Sequence, residues 1–478
     1  MARQGPHVTE PPSGLSRSID VKIEKLIYGG EGLAHHEGST VFVPFVLPSE
    51  RVTVEPLEQK KKFVRARLAQ LLEPSSERVT AACPHFGVCG GCDYQHITYE
   101  AQLRYKTGIL RETLRRIGKI DWTGEIKMHG SPAWHHRNRA QWKVRPLGGR
   151  SADEGATSTG SALGIGYFRA NSTSLCAVND CPILSPVLLK TLLALRDALA
   201  GGQLPRELRE IEAFATDDGA EGGPQRVLLT LTFAGFPSRA AERAEAMRGI
   251  IPELGSLLFH DPGRDQMELF GPGFIEYRVG ERKYRVGHFS FFQVNRFLAQ
   301  ELAREASEDE TGGELALDLF AGVGLFALPL AERFKHVVAV ESNPAAARDL
   351  EANCRRAGTA PPETGASATP RTLTGDVNGS RAIEIRTADV EHFLQKFKGT
   401  PDLIIVDPPR AGLTPAIVHR LAEIAPQRIR YVSCEPPTLA RDLRGLLDGG
   451  YEISAVHLFD LFPQTFHMET IVRLRRRL

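Results

Sequence analysis

The stretch that decides the fold is ELALDLFAGVGLFALPLA, residues 314–331. An apolar strand pattern runs through Asp318 into AGVG and then into a helical pattern. Gly322 and Gly324 permit a tight turn and let a ligand approach the backbone. The spacing D-x-x-x-G-x-G differs from the G-x-G-x-x-G of dinucleotide enzymes, so a nucleotide site at this turn needs further support.

The chain from about Gly313 to Leu478 continues the same alternation. Further strands are predicted at HVVAVE, IEIRTAD, LIIVDPP, RIRYVSC, YEISAVHLF and ETIVRLR, with helical patterns between most of them. This rhythm predicts an α/β fold built on a doubly wound, largely parallel, Rossmann-like sheet. Residues 355–380 interrupt it; they are rich in Gly, Pro, Thr and Ala and are interpreted as a flexible insertion.

Acidic residues close the next two strands. Glu341 ends HVVAVE about 20 residues after the glycine turn, where an acid can accept from both ribose hydroxyls of a nucleoside. A helix-start acid is the alternative, because ESNPAAARDL follows it. Asp389 ends the third strand, where a carboxylate could accept from an adenine amino group. This order of features, followed by DPP, is typical of S-adenosylmethionine-dependent methyltransferases.

Three more side chains stand at strand ends where ligands bind in open sheets. Asp407 begins DPPR. Many methyltransferases that act on exocyclic amines have an aromatic residue after the prolines, so Arg410 at that position argues against this activity. Cys434 ends RIRYVSC; a buried structural cysteine is the commoner case, but this position suits a nucleophile. Glu469 in HMET opens the last strand, where burial would raise the pKa of Glu469 towards that of a base. The alternative is an exposed acid at a strand end.

The chemistry of a pyrimidine explains why a thiol and a base would be needed together. Carbon 5 of uracil is a poor nucleophile, and attack of a thiolate on carbon 6 creates an enolate whose carbon 5 can take a methyl group. A base must then remove the carbon 5 proton so that the thiolate leaves. The target base must also leave the RNA stack. Cys434 and Glu469 are the candidates for these two steps.

These motifs, with SFFQVN at Ser290–Asn295, resemble the RNA uridine-5 methyltransferase family, most closely the iron–sulfur-containing bacterial 23S ribosomal RNA (uracil-5-)-methyltransferases. The resemblance extends from about residue 16 to the end. It implies Cys434 as nucleophile, Glu469 as base, and cofactor or uracil contacts at Gln293, Phe320, Glu341 and Asp407. The sequence departs from the family pattern at Ala321, where the family often has Cys, and at Glu435, where it often has Asn.

A cysteine cluster lies upstream, in CPHFGVCGGCDYQH. Cys83, Cys89 and Cys92 have a C-x5-C-x2-C spacing, which indicates a metal site whose fourth ligand lies elsewhere. The spacing leaves Cys176, Cys181, His85 and His96 open as that ligand, and zinc as the metal. The resemblance implies a [4Fe–4S] cluster with Cys181 as the fourth cysteine.

The region from about Ser16 to Leu72 alternates apolar and polar residues with close turns, which predicts a small β-barrel. It resembles the TRAM domain, an RNA-binding module of OB type. Its KKKFVRAR run, residues 60–67, is either a solvated strand face or an RNA-contacting patch. The expected division is a disordered tail at 1–15, the barrel at 16–74, a central α+β iron–sulfur domain at 75–300 and a class I methyltransferase domain at 301–478.

Composition sets the outer bounds. The 478 residues are 42% hydrophobic and 24% charged with net charge +1, as in a soluble globular protein, so any basic surface must be local. Neither a signal peptide nor an 18-residue apolar span is found, so a cytoplasmic protein without membrane contact is expected. The expected partner is 23S ribosomal RNA, with no obligate protein partner. A tRNA T-loop uridine and a non-catalytic RNA-binding protein remain the alternatives.

Overall fold

A computed structural model describes residues 18–147, 162–216, 225–308, 311–359 and 382–477. The predicted tail at 1–15 and most of the insertion at 355–380 lie outside the described residues.

The N-terminal region forms a mixed sheet. Its strands are β1 (Ile19–Lys22), β2 (Lys25–Leu26), β3 (Glu31–His36), β4 (Ser39–Pro44), β5 (Arg51–Lys60) and β6 (Phe63–Glu73). The order is β1-β5-β6-β4-β3-β2, in which only the β4–β6 pair among these strands is parallel. The alternation read from the sequence buries one face, including Val41, Val43, Val52 and Val54. The predicted strands are therefore present.

The central region combines helices with a second mixed sheet. Its elements are α1 (Tyr99–Arg116), β7 (Ile126–His129), β8 (Arg139–Pro146), β9 (Leu163–Phe168), β10 (Leu175–Ala177), α2 (Pro186–Ala200), β11 (Leu208–Ala215), β12 (Val227–Phe233), α3 (Ala240–Ile250), β13 (Leu254–Asp261), β14 (Gln266–Phe270), β15 (Phe274–Val279), β16 (Arg282–Gly287) and α4 (Ala299–Ser307). The sheet order is β10-β9-β8-β11-β12-β13-β14, while β15 and β16 form a hairpin. Trp142 is fully buried in its core.

The C-terminal region alternates strands and helices as predicted. Its elements are β17 (Gly313–Leu319), α5 (Ala327–Leu330), β18 (Phe334–Glu341), α6 (Pro344–Arg356), β19 (Ala382–Thr387), α7 (Val390–Lys396), β20 (Leu403–Val406), α8 (Pro415–Ile424), β21 (Arg428–Ser433), α9 (Pro436–Asp448), β22 (Tyr451–Phe459) and β23 (Glu469–Arg476). The order β19-β18-β17-β20-β21-β23-β22-β7 includes β7 from the region that the sequence assigns to the central domain. That strand pairs parallel with β22.

The strand order fixes where a ligand can bind. The chain passes from β17 outward to β18 and β19, and then returns to β20 on the other side of β17. Such a reversal opens a crevice at the carboxyl ends of the strands. Residues of β17 alternate between two cores, with Leu317 in one and Ala316 in the other, so both faces of the sheet are covered.

No helix in the described ranges is long and apolar enough to cross a membrane.

Candidate active site

The glycine turn after β17 is shaped by three residues in the left-handed region: Phe320 (φ 67°), Gly322 (φ 55°) and Gly324 (φ 95°). A Cβ at Gly324 would lie 2.6 Å from Leu350 of α6, so this glycine permits close packing of that helix. A Cβ at Gly322 would meet nothing within 4 Å, so the turn faces open space there. The helical pattern read after the turn gives only the short α5, which contains Pro329.

Carboxylates surround this turn. Both oxygens of Asp318 are buried without a hydrogen-bond partner among the described residues. Burial, and then the nearby Asp407, raises the pKa of Asp318 to about 8. Glu341 accepts from the Gly322 N–H at 2.8 Å and from the Asn343 N–H at 2.6 Å. One oxygen of Glu341 therefore serves the start of α6, as the helix-start alternative expects, and the other holds the glycine turn.

Asp389 lies at a helix start. It is the N-cap of α7 and accepts from the His392 N–H at 3.1 Å through one carboxylate oxygen. Its side chain is exposed. The predicted contact with an adenine amino group would have to use the other oxygen.

The candidate nucleophile and base meet because of strand register. Ser433 of β21 pairs with Thr470 of β23 in an antiparallel ladder. The next position in that ladder sets Cys434 beside Glu469. Asp407 follows β20, the parallel neighbour of β21, so it ends at the same edge. Cys434 is half-buried and Glu469 is only 6% exposed. The exposed strand-end alternative for Glu469 is therefore wrong.

The electrostatics of this edge favour neutral groups. Burial, and then the neighbouring Glu469, raises the pKa of Cys434 to about 12, while Arg410 opposes that shift. Burial, and then Asp407, raises the pKa of Glu469 well above its usual range, and Arg410 again opposes. The pKa of Asp407 is also raised, by burial. Arg410 is thus the cation that favours a thiolate at Cys434.

The SFFQVN segment is fixed from both ends. The Ser290 hydroxyl donates to Asp349 at 2.7 Å, and the Asn295 side-chain amide donates to the Ser131 hydroxyl at 3.0 Å. Gln293 is only 6% exposed. Phe291, between the anchors, is 61% exposed, and sequence reasoning did not single it out. A large apolar side chain on an anchored but exposed loop is suited to stacking on a base.

Four cysteines border one cavity. A cavity of about 290 Å³ is lined by Cys83, Cys89, Cys92 and Cys181. Cys176 is not among the described residues that line this cavity. Burial raises the pKa of all four thiols, that of Cys181 to about 11. Among the described residues, no three His, Cys, Asp or Glu side chains converge closely enough to hold a metal ion.

The two histidine candidates differ in position, because His85 lines the same cavity and His96 does not line it in the described part of the chain. The His85 ring is 2.8 Å from the Asn179 side chain. His96 is buried with its Nε2 3.5 Å from the Val46 carbonyl oxygen, and burial lowers its pKa to about 4. Of the four candidates for a fourth ligand, Cys181 and His85 line the cavity, and Cys181 is the only thiol of the two.

The same cavity reaches the catalytic strand ends. Arg410, Phe462, Thr465 and His467 also line it. Arg410 follows the DPP motif, and His467 lies two residues before Glu469. The cysteine set and the candidate active site therefore share a wall.

Three cations of the 60–67 run are paired within the N-terminal sheet. Lys60 pairs with Glu58 at 2.8 Å and Arg65 with Glu31 at 2.8 Å, and Arg67 pairs with Glu55. Lys61 and Lys62 are exposed. The solvated-strand alternative thus describes the paired residues better, and among the described residues no ion-pair partner is found for Lys61 or Lys62.

Comparisons with known proteins agree with this architecture. Residues 275–477 match the family model described as tRNA (Uracil-5-)-methyltransferase, and residues 16–69 match the TRAM domain. A Salmonella choleraesuis protein, 23S rRNA (uracil(1939)-C(5))-methyltransferase RlmD, is 32% identical, with 96% of each chain covered. An RNA methyltransferase of Aquifex aeolicus is 30% identical over 96% of this chain and 98% of its own.

A solved structure extends the likeness to three dimensions. The crystal structure of Pyrococcus abyssi tRNA (uracil-54, C5)-methyltransferase in complex with S-adenosyl-L-homocysteine has a TM-score of 0.69 at 25% identity. The match covers 95% of this chain and 100% of the other. The C-terminal sheet thus has the class I methyltransferase fold, the fold of an RNA-modifying enzyme. The chain belongs to the RNA uracil-5-methyltransferase family and carries an N-terminal TRAM domain.

Proposed function

We propose that this enzyme methylates carbon 5 of a uridine in 23S ribosomal RNA, through a covalent adduct between Cys434 and carbon 6. The observation that carries the proposal is the register that sets Cys434 beside the buried Glu469. The choice of RNA is supported by the 23S ribosomal RNA methyltransferase that is 32% identical over nearly the full length of both chains. A tRNA T-loop uridine is the second candidate, supported by the Pyrococcus abyssi enzyme.

S-adenosylmethionine is the proposed methyl donor, and the residues at the glycine turn fit it. The cofactor carries positive charge on its sulfonium and ammonium groups, and Asp318 supplies a buried carboxyl with no partner among the described residues. Gly322 leaves open space beside Glu341, where the ribose hydroxyls would bind. Phe320, Asp389, Gln293 and Asp407 would complete the contacts. When bound, the cofactor supplies an electrophilic methyl group.

The chain's own residues would divide the remaining chemistry. The Cys434 thiol gives up its proton, favoured by Arg410, and its sulfur forms a bond with carbon 6. Carbon 5 of the resulting enolate takes the methyl group. Glu469, in its carboxylate form, then removes the carbon 5 proton, the carbon 5–carbon 6 double bond re-forms, and the sulfur leaves as thiolate. Phe291 would stack on RNA while the target base is out of its stack.

We also propose that Cys83, Cys89, Cys92 and Cys181 hold a [4Fe–4S] cluster. Four thiols around one cavity are the donor set that this cluster requires. A zinc ion is the alternative for the same donors. The role of the cluster would be to fix the shared wall that contains Arg410 and His467, because methyl transfer itself needs no electron.

The remaining assignments follow from this function. The barrel at 16–74 would bind RNA, the region at 75–300 would carry the cluster, and residues 301–478 would form the catalytic domain, joined by β7 from the central region. The relatives from Vibrio parahaemolyticus and Salmonella choleraesuis are bacterial enzymes of 23S ribosomal RNA, which supports a cytoplasmic location.

The test is methylation of defined RNAs by purified enzyme with labelled S-adenosylmethionine. Transcripts of 23S ribosomal RNA and of tRNA are offered separately, and 5-methyluridine is mapped by mass spectrometry. We expect 5-methyluridine in the 23S transcript. Methylation of the tRNA alone would establish the second candidate, and binding without methylation of either would favour a non-catalytic protein.

A further inference from the structure

One residue of the N-terminal barrel reaches the catalytic segment. Tyr28 lies on the turn between β2 and β3, and its ring meets the Phe466 ring edge-on, with centroids 5.3 Å apart and planes at 88°. Phe466 in turn lies against His467, with ring centroids 4.1 Å apart. Glu469, the proposed base, is two residues further on. A barrel side chain therefore touches the segment that positions the base.

The turn that carries Tyr28 is closely seated. Gly30 has φ 88°, and a Cβ there would lie 3.2 Å from the Asp93 Cβ and 3.3 Å from the Phe466 ring. The Asp93 N–H also donates to the Gln464 carbonyl at 3.0 Å, which ties that strip of chain to the loop before Glu469. The contact between barrel and loop is thus supported by backbone on both sides.

Core residues of the barrel also pack against the C-terminal sheet near Tyr28. Leu26 and Leu47 belong to the same buried cluster as residues of the catalytic sheet. Lys25 pairs with Glu112 of α1 at 2.5 Å. Since these contacts flank Tyr28 along the chain, its place beside Phe466 follows from the packing of the whole barrel.

The Tyr28 hydroxyl is buried beside the Glu435 side chain, and the two groups fall just short of full hydrogen-bond geometry. Burial, and then the nearby Glu435 and Cys434, raises the pKa of Tyr28, so the hydroxyl stays protonated and can donate. A buried donor without an acceptor costs free energy. The Glu435 carboxylate is the acceptor close at hand, and Glu435 directly follows Cys434.

We propose that Tyr28 is a positioning residue of the methylation site, whose ring holds Phe466 and the segment leading to Glu469 and whose hydroxyl donates to Glu435 when RNA is bound. The proposal rests on the proposed function of Cys434 and Glu469. Through this contact the barrel affects the rate of methylation as well as the affinity for RNA. The described groups that face Cys434 are then Glu469 of β23, Asp407 and Arg410 after β20, Glu435 at the N-cap of α9, and Tyr28 of the barrel.

The test compares full-length Tyr28→Phe and Tyr28→Ala with the unchanged enzyme. Adduct formation with 5-fluorouridine RNA is followed at saturating RNA from pH 6.5 to 9.5, and KM and kcat are measured for unmodified RNA. Tyr28→Ala should lower kcat by roughly tenfold or more, with the KM for RNA changed by about twofold at most. Tyr28→Phe keeps the ring and should lose roughly threefold.

The pH profile separates positioning from mere packing. Without the hydroxyl, Glu435 keeps its full negative charge beside the thiol, so the pH midpoint of adduct formation should move upward in Tyr28→Phe. Leu72→Ala is the matched control, because Leu72 is an exposed side chain on β6 of the same barrel. It should behave as the unchanged enzyme does.

The outcomes are distinct. Unchanged kcat and pH midpoint in both variants would overturn the proposal, and so would a rise in KM alone, which would make Tyr28 an RNA contact. Tyr28→Phe guards against loss of folding in Tyr28→Ala, since it preserves the ring and its contact with Phe466. Failure of the unchanged enzyme to form any adduct would instead overturn the proposed function.

Discussion

The catalytic sheet edge and the cysteine segment bring distant residues together by different means. At the sheet edge, backbone ladders between β21 and its neighbours fix Cys434 beside Glu469 and close to Asp407. The cysteines before α1 lie on irregular chain, and the loop is held by hydrogen bonds such as Cys89 N–H to the His85 carbonyl at 2.9 Å. A site on strands is complete in the chain itself, whereas a site on loops needs its ligand to draw the donors together.

This difference predicts that substituting one residue has different consequences at the two sites. Removing a residue from the sheet edge should stop the chemistry and leave the structure intact. Removing a cysteine should lose the proposed cluster first, and the chemistry only through the wall that contains Arg410 and His467.

The largest effect is expected from Cys434→Ala. Methylation should fall by at least roughly a thousandfold, because alanine cannot form the covalent bond to carbon 6. Binding of S-adenosylmethionine, measured by calorimetry, should be unchanged. The matched control is Cys354→Ala, a buried cysteine of α6, which should still give a stable adduct with 5-fluorouridine RNA. Near-normal methylation by Cys434→Ala would falsify the covalent mechanism.

Glu469→Gln should come next, with turnover reduced by roughly a hundredfold or more. Addition of the thiolate and methyl transfer would proceed, but elimination would stall without the base. A denaturing gel should therefore show RNA linked to protein with ordinary, unfluorinated RNA. Glu452→Gln, a partly exposed acid of β22 that pairs with Arg475, is the control. Normal turnover in Glu469→Gln would mean that another group is the base.

For the proposed cluster in the cysteine segment, anaerobic purification should give a brown protein with about four irons per chain. Cys181→Ser should lose that iron, whereas Cys176→Ser should keep it, because Cys181 lines the cavity with the three upstream cysteines. Iron and zinc are measured by mass spectrometry alongside the visible spectrum. Stoichiometric zinc without iron would replace the cluster by a zinc site, and full iron in Cys181→Ser would point to Cys176.

Arg410 borders both sites, and its loss should have an intermediate effect. Arg410 lowers the pKa of Cys434, so Arg410→Ala should raise that pKa further and reduce the thiolate fraction near neutrality. Adduct formation should fall by roughly tenfold at pH 7.5 and recover as the pH rises, because the thiol then ionises. Arg410→Lys keeps the charge and should lie close to the unchanged enzyme. A pH-independent loss in Arg410→Ala would assign Arg410 to RNA contact alone.

The sequence was most informative where regular structure carries the site. Strand periodicity and the residues that end each strand were enough to predict the α/β sheet and to single out Cys434 and Glu469, since a strand end fixes where a side chain lies. The pattern gave no sign that β7 joins the sheet beside β22, because strand pairing at that distance depends on packing. Tyr28 and Phe291 could not be predicted as site residues either. An aromatic side chain on a loop is recognised as part of a site only when its exposure and its neighbours are known.

The smallest effect is expected in the N-terminal sheet, where Lys61 and Lys62 are the exposed cations of the 60–67 run for which the described residues offer no ion-pair partner. Lys60, Arg65 and Arg67 already pair with carboxylates, and exchanging those partners for phosphates gains little. If the two exposed lysines bind phosphates, Lys61→Ala with Lys62→Ala should raise the KM for RNA a few-fold and flatten the log–log salt dependence by roughly 1.4 to 1.8. Turnover at saturating RNA should be kept. Arg65→Ala with Arg67→Ala is the matched pair, with a smaller change expected. Equal slopes in all three proteins would make the run a solvated strand face, and lost turnover at saturation would give these lysines a part in placing the target base.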